Sequence, residues 1–146
     1  HLLLKDTFDN FSFIEGEITT FNKFTISGFL QEDFFDEKPE ETYSRWNKTR
    51  DFCFQIIRGK RTPLGFKIVL ALPEDQIPYF LTAHGLTGYR PEEIRGLYLN
   101  FHYDGHHLQC ITGTSLNTFT MDKSIEREWD QEVKNILKSR SIEGDY

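Results

Sequence analysis

His102 and His107 stand in the stretch Leu97–Thr112, LYLNFHYDGHHLQCIT, where local geometry alone can gather several metal- or proton-handling side chains. Asp104-Gly105 between two alternating apolar runs predicts a β-hairpin with a two-residue turn, because both turn positions favour positive φ. That turn pairs Tyr103 with His106, His102 with His107, Phe101 with Leu108 and Leu99 with Cys110. Directly opposed imidazoles have Cβ atoms about 5 Å apart. Such a pair can chelate Zn²⁺ or Ni²⁺ once a third ligand such as Asp104, His106 or His84 joins it, which is the chemistry of a metal-assisted hydrolase. His106 falls on the opposite face with Tyr103, so register alone does not recruit it. A polar, solvated hairpin tip is the plainer reading.

A second constellation is ionic. Arg58-Gly59-Lys60-Arg61-Thr62-Pro63 places three cations just after an expected helix end, with Arg45, Lys48 and Arg50 one or two turns back. The segment can bind an anion, or it can cap the helix and answer its dipole. No glycine-rich phosphate-cradling motif accompanies it. Rings cluster nearby at Phe34, Phe35, Tyr43, Trp46 and Tyr89. Trp46, Arg50, Arg58, Lys60 and Arg61 are therefore the candidate binding residues, on an aromatic and basic surface spanning residues 43–61. The hydroxyl-rich run Thr112–Thr118 has no nucleophile elbow. Glu15 and Glu17 share one wet strand face and lack the unlike environments that acid–base work needs. No catalytic residue and no cofactor is implied.

The elements that must position these side chains follow from periodicity. Residues 11–20 and 24–30 alternate as strands around the loop Phe21-Asn22-Lys23, pairing Ile18 with Ile26 and Gly16 with Gly28. That leaves a gap over the glycines for a helix or a ring to fill. Residues 31–41 form an acidic loop from which Phe34 and Phe35 dock back. Tyr43, Trp46, Arg50, Cys53, Phe54 and Ile57 predict a helix over 42–58. Residues 64–72 read as a central strand, and Pro73 to Gly85 as a helix with Ile77, Phe80 and Leu81 inward. The strand–helix–strand run 64–103 is the only place for a crossover. Ile125, Trp129, Val133, Ile136 and Leu137 mark the last helix as amphipathic.

Hairpins dominate this order, so the expected class is α+β: a mainly antiparallel sheet with about three packed helices in a single domain over 1–146. The two halves also suit strand–helix–hairpin repeats, a clamp-like build, if a short strand and helix precede His1. The 146 residues can bury one sizeable core, and 14 Phe, six Tyr and two Trp make it aromatic. A net charge of −6 does not favour nucleic acid as partner. No run of 18 apolar residues spans a membrane. Cys53 and Cys110 read as small buried hydrophobes, and the cytoplasm is the simplest compartment.

The segments LLLKDTFDNF, GEITTFNKFTISG, DFCFQIIRGKRTPLGFK and TGTSLNTFTMDKSIEREWD resemble an uncharacterised bacterial family, mainly from clostridial-type Firmicutes. The resemblance covers nearly the whole chain and implies no reaction, ligand or catalytic residue. The leading functional expectation is a non-enzymatic cytoplasmic domain that binds a protein partner. The alternatives are a clamp-like nucleic-acid accessory protein and a metal-assisted hydrolase using His102 and His107.

Overall fold

The computed structural model describes residues 7–57 and 63–139. The strands β1 (Ser12–Thr19), β2 (Lys23–Ser27), β3 (Gly65–Ala71), β4 (Ile94–Tyr103) and β5 (Leu108–Leu116) form one sheet in the order β2-β1-β3-β4-β5. Every neighbouring pair is antiparallel. The apolar run GFKIVLA has partners on both sides and lies at the centre, as a mostly apolar strand requires. The helices are α1 (Trp46–Ile57), α2 (Ile77–Ala83) and α3 (Ser124–Ser139). The α+β class is borne out.

The helices share one face of the sheet. Ile18, Ile68, Leu70, Leu97, Leu99 and Phe101 point from the strands into one core with Trp46, Cys53, Ile77, Phe80, Leu81, Ile125, Trp129 and Val133 from the helices. Ile77, Phe80 and Leu81 are the inward stripe expected of α2, and Gly85 at φ +68° ends that segment. Aromatic edges join the layers: Trp129 meets Phe80 at 5.7 Å, and Phe8 meets Phe101 at 5.5 Å. The Trp129 indole N–H donates to the Tyr98 carbonyl at 3.0 Å, so this fully buried ring leaves no orphan donor.

Several expectations are corrected. Both hairpins pair two residues away from the predicted register: Ile18 faces Phe24, and Phe101 faces Cys110. The glycine gap is real although Gly16 faces Ile26, because the Phe13 ring lies where a Gly16 side chain would begin, 3.1 Å from its Cβ position. The α2 connection joins antiparallel neighbours, so the run 64–103 contains no parallel crossover. Helix α1 starts at Trp46 because Tyr43 and Arg45 are held as bridge partners of Phe29 and Ser12. Phe34 and Phe35 do not dock; they are exposed and pack edge-on against each other. Cys53 is buried, whereas Cys110 is exposed because β5 is an edge strand. The segment β3–α2–β4–β5 is a strand–helix–hairpin unit, and β1–β2 is a second hairpin in the same sheet.

Candidate functional site

The hairpin that was to pair the histidines has a four-residue loop, residues 104–107. Asp104 Oδ1 accepts the backbone N–H groups of His106 and His107 at 2.8 and 2.7 Å, which rounds the turn around Gly105 at φ +96°. These two backbone bonds hold the Asp104 carboxyl below its usual range. His102 therefore faces Gln109, while His107 sits in the loop. The predicted His102–His107 opposition does not form, and among the described residues no group of three or more His, Cys, Asp or Glu is placed to hold a metal ion.

Of the candidate binding residues, Trp46 and Arg50 lie largely inside the fold. Trp46 is fully buried, its ring 5.6 Å from Phe13, so it is core rather than contact surface. Arg50 pairs with Asp9 at 2.7 Å, with both side chains mostly covered. Arg45 donates to Glu41 at 2.8 Å and to the Asn10 carbonyl. These arginines tie the chain before β1 to the start of α1. Arg58, Lys60 and Arg61 lie outside the described residues.

A cluster that sequence reasoning missed joins α2 to α3. His84 Nδ1 and Nε2 lie 2.8 and 2.7 Å from carboxylate oxygens of Glu128 and Glu132. Burial lowers the imidazole pKa, but the two hydrogen bonds and carboxylate charges outweigh it and hold it above the ordinary histidine value. Both ring nitrogens are engaged by different carboxylates, so this is a clamp between helices, with no nitrogen left to act as a base. The acids four residues apart on α3 were the available sequence signal; nothing local ties His84 to them.

A concave surface also lies on the helix-free face of the sheet. Strand alternation lines up Thr25, Glu17, Lys67, His102 and Gln109 as one row across all five strands. The next row is Ser27, Glu15, Val69, Asn100 and Ile111. Between them runs a trough of about 430 Å³, lined by Glu15, Glu17, Lys67, Val69, Asn100, His102 and Ile111. Side chains directly opposed across strands have Cβ atoms about 4.5–5.5 Å apart, so Lys67 stands within reach of both Glu17 and His102. Glu17 is also paired with Lys23 at 3.2 Å. Asn100 donates its amide to the Ile111 carbonyl at 3.2 Å, which fixes that wall. The trough thus offers carboxylates at one end, Lys67 and His102 in the middle, and the apolar side chains of Val69 and the 56 % exposed Ile111 to either side of Asn100.

Among the described residues no helix is long and apolar enough to cross a membrane. No curated protein and no solved structure matches the chain. Over residues 1–145 it matches a family of unknown function, DUF5721, and it belongs to that family.

Proposed function

We propose that the protein is a non-enzymatic binding or accessory domain that holds an extended segment of a partner protein on the helix-free face of its sheet. The observation that carries this reading is the trough itself, a mixed-charge row beside the apolar side chains of Val69 and Ile111 on a face that the described helices leave uncovered. Acceptors at one end (Glu15, Glu17) and donors beside them (Lys67, His102) suit a peptide carrying both charges, and Val69 and Ile111 suit its apolar side chains. A phosphate backbone would need a basic face; here Lys23 is spent on Glu17 and two acids share the trough. The surface expected at residues 43–61 moves accordingly, since Trp46 belongs to the core. The free thiols Cys53 and Cys110 and the bacterial resemblance support a cytoplasmic setting.

Photo-crosslinking tests this. A benzophenone amino acid placed at Val69 or His102, both in the trough and away from the β5 edge, should capture one and the same protein in cells. Placed at Phe52, exposed on α1, it should not. Capture from Phe52 with none from Val69 or His102 would return the function to the α1 surface.

A further inference from the structure

Strand β5 ends the sheet, and among the described residues nothing pairs with its outer side. It is nine residues long, against five for the opposite edge strand β2, which carries Lys23. Soluble proteins guard such edges with charges, prolines, bulges or brevity. The sequence LQCITGTSL has no charged residue and no proline, and the register shift near it falls on β4, between Ile94 and Gly96.

The direction of its backbone groups follows from the ladder. Asp104 N–H donates to the His107 carbonyl, which makes that a bonded pair. Bonded and non-bonded pairs alternate along an antiparallel ladder. Leu108, Cys110, Thr112 and Thr114 therefore occupy non-bonded positions opposite Tyr103, Phe101, Leu99 and Leu97. The β4 side agrees, because the Leu97 carbonyl turns away from β5 and accepts Leu72 N–H at 2.9 Å. The N–H and C=O groups of Leu108, Cys110, Thr112 and Thr114 thus face outward as an unused ladder. Leu108 is 53 % and Ile111 56 % exposed, one on each face of that edge.

We propose that β5 pairs antiparallel with β5 of a second copy of this chain, about a two-fold axis through Ile111, joining the two sheets edge to edge. This register sets Leu108 against Thr114 and Cys110 against Thr112 of the other copy, using all four outward residues. Ile111 meets its own copy on the helix-free face, in the closely spaced non-bonded position. A second copy is the fitting partner because the strand is uncharged and meets no like charge in itself. Charge on the helix side agrees. Thr112 Oγ1 donates to Asp130, and Lys134 pairs with Asp130 one turn further along α3. An axis that exchanges positions 110 and 112 sets Asp130 of one copy toward Lys134 of the other. The joined sheet also brings the two troughs side by side, since Ile111 lines each.

Sedimentation equilibrium of the full chain over a wide concentration range tests the pairing, independently of any ligand of the trough. The expected result is a reversible dimer. Ile111→Lys, which opposes two cations at the axis, should weaken it roughly tenfold or more. Cys110→Pro should do the same while keeping the β4 ladder, because the N–H it removes points outward. Thr25→Lys on the opposite edge should leave dimerisation unchanged. A wild-type monomer at every concentration overturns the proposal. So does a dimer that survives both β5 substitutions with native circular dichroism.

Discussion

His84 Nε2 sits 2.7 Å from Glu132 Oε2, and the same ring reaches Glu128 through Nδ1, so one imidazole at the end of α2 bridges two turns of α3. The ring is 14 % exposed and packs 4.7 Å from Phe80, whose other neighbour is Trp129. Holding α2 on α3 therefore couples a charged contact to the aromatic core.

This contact should make stability depend on pH in a defined direction. The folded pKa of His84 lies above its ordinary value of 6.5: burial is the largest single effect and lowers it, but the two carboxylates together raise it further. A raised pKa means that folding takes up a proton. The stabilisation is fully present below about pH 6.5 and is lost as pH rises through the raised folded value. The difference between wild type and His84→Gln in urea denaturation should be about 1 kcal/mol at about pH 5.5, because Glu128 and Glu132 are partly solvated and screen the pair. It should shrink as pH rises through the raised folded value. A difference that grows with pH would count against a protonated bridge.

Trp46 provides the sharpest contrast between surface and core. Its ring is fully buried beside Phe13 at the start of α1. Trp46→Ala should cost about 3–5 kcal/mol, the usual range for deleting a buried aromatic ring. Phe52→Ala, on the exposed side of the same helix, should stay within about 0.5 kcal/mol. Denaturant midpoints for both variants give the comparison, and equal small effects would mean that Trp46 is not packed as described.

Gly105 tests why the β4–β5 hairpin is two residues off its expected register. Its φ is +96°, and a Cβ there would lie 2.9 Å from the Leu64 carbonyl oxygen. Gly105→Ala should therefore cost about 1–2 kcal/mol from backbone strain alone. The Asp104 carboxyl, lowered by its bonds from His107 and His106, adds a contribution present above its ordinary pKa of 3.8 and lost as pH falls through the lower folded value. Asp104→Asn should thus lose most of its effect in strong acid. If the Gly105→Ala variant proves as stable as wild type, the turn geometry is not the cause of the register.

These cases show which parts of the fold the chain announces. Face assignment survived the register errors because both were shifts of two, and a strand repeats every two residues: Leu99 and Phe101 point inward and His102 outward in either register. Pairing was less legible because it depends on loop chemistry. Asp104 captures two later N–H groups and so lengthens a turn that Asp-Gly would otherwise close in two residues. Inward stripes on α2 and α3 were readable from spacing, whereas partner choice was not. Arg50 with Asp9, and His84 with Glu128, are separated by long stretches of chain, so only the folded sheet brings them together. The trough was hidden for the same reason: Glu17, Lys67 and His102 become neighbours only through the strand order β1-β3-β4.

That strand order also supplies the most direct test of the trough's charge. Lys67 lies between Glu17 and His102, facing each across one strand gap. Lys67→Glu sets two acids opposite each other beside Glu15 and removes a central cation. Like charges directly opposed destabilise a sheet by up to about 1 kcal/mol, so the fold should persist with a small loss measurable by urea denaturation. Partner capture through a photo-crosslinker at Val69 should fall sharply in the same variant, because a peptide's carboxylates lose their nearest donor. A Lys67→Met variant, which removes the charge without adding a repulsion, should keep full stability and still reduce capture. If both variants fold and capture proceeds at the wild-type level, the charged row takes no part in binding, and the apolar side chains of Val69 and Ile111 must act alone.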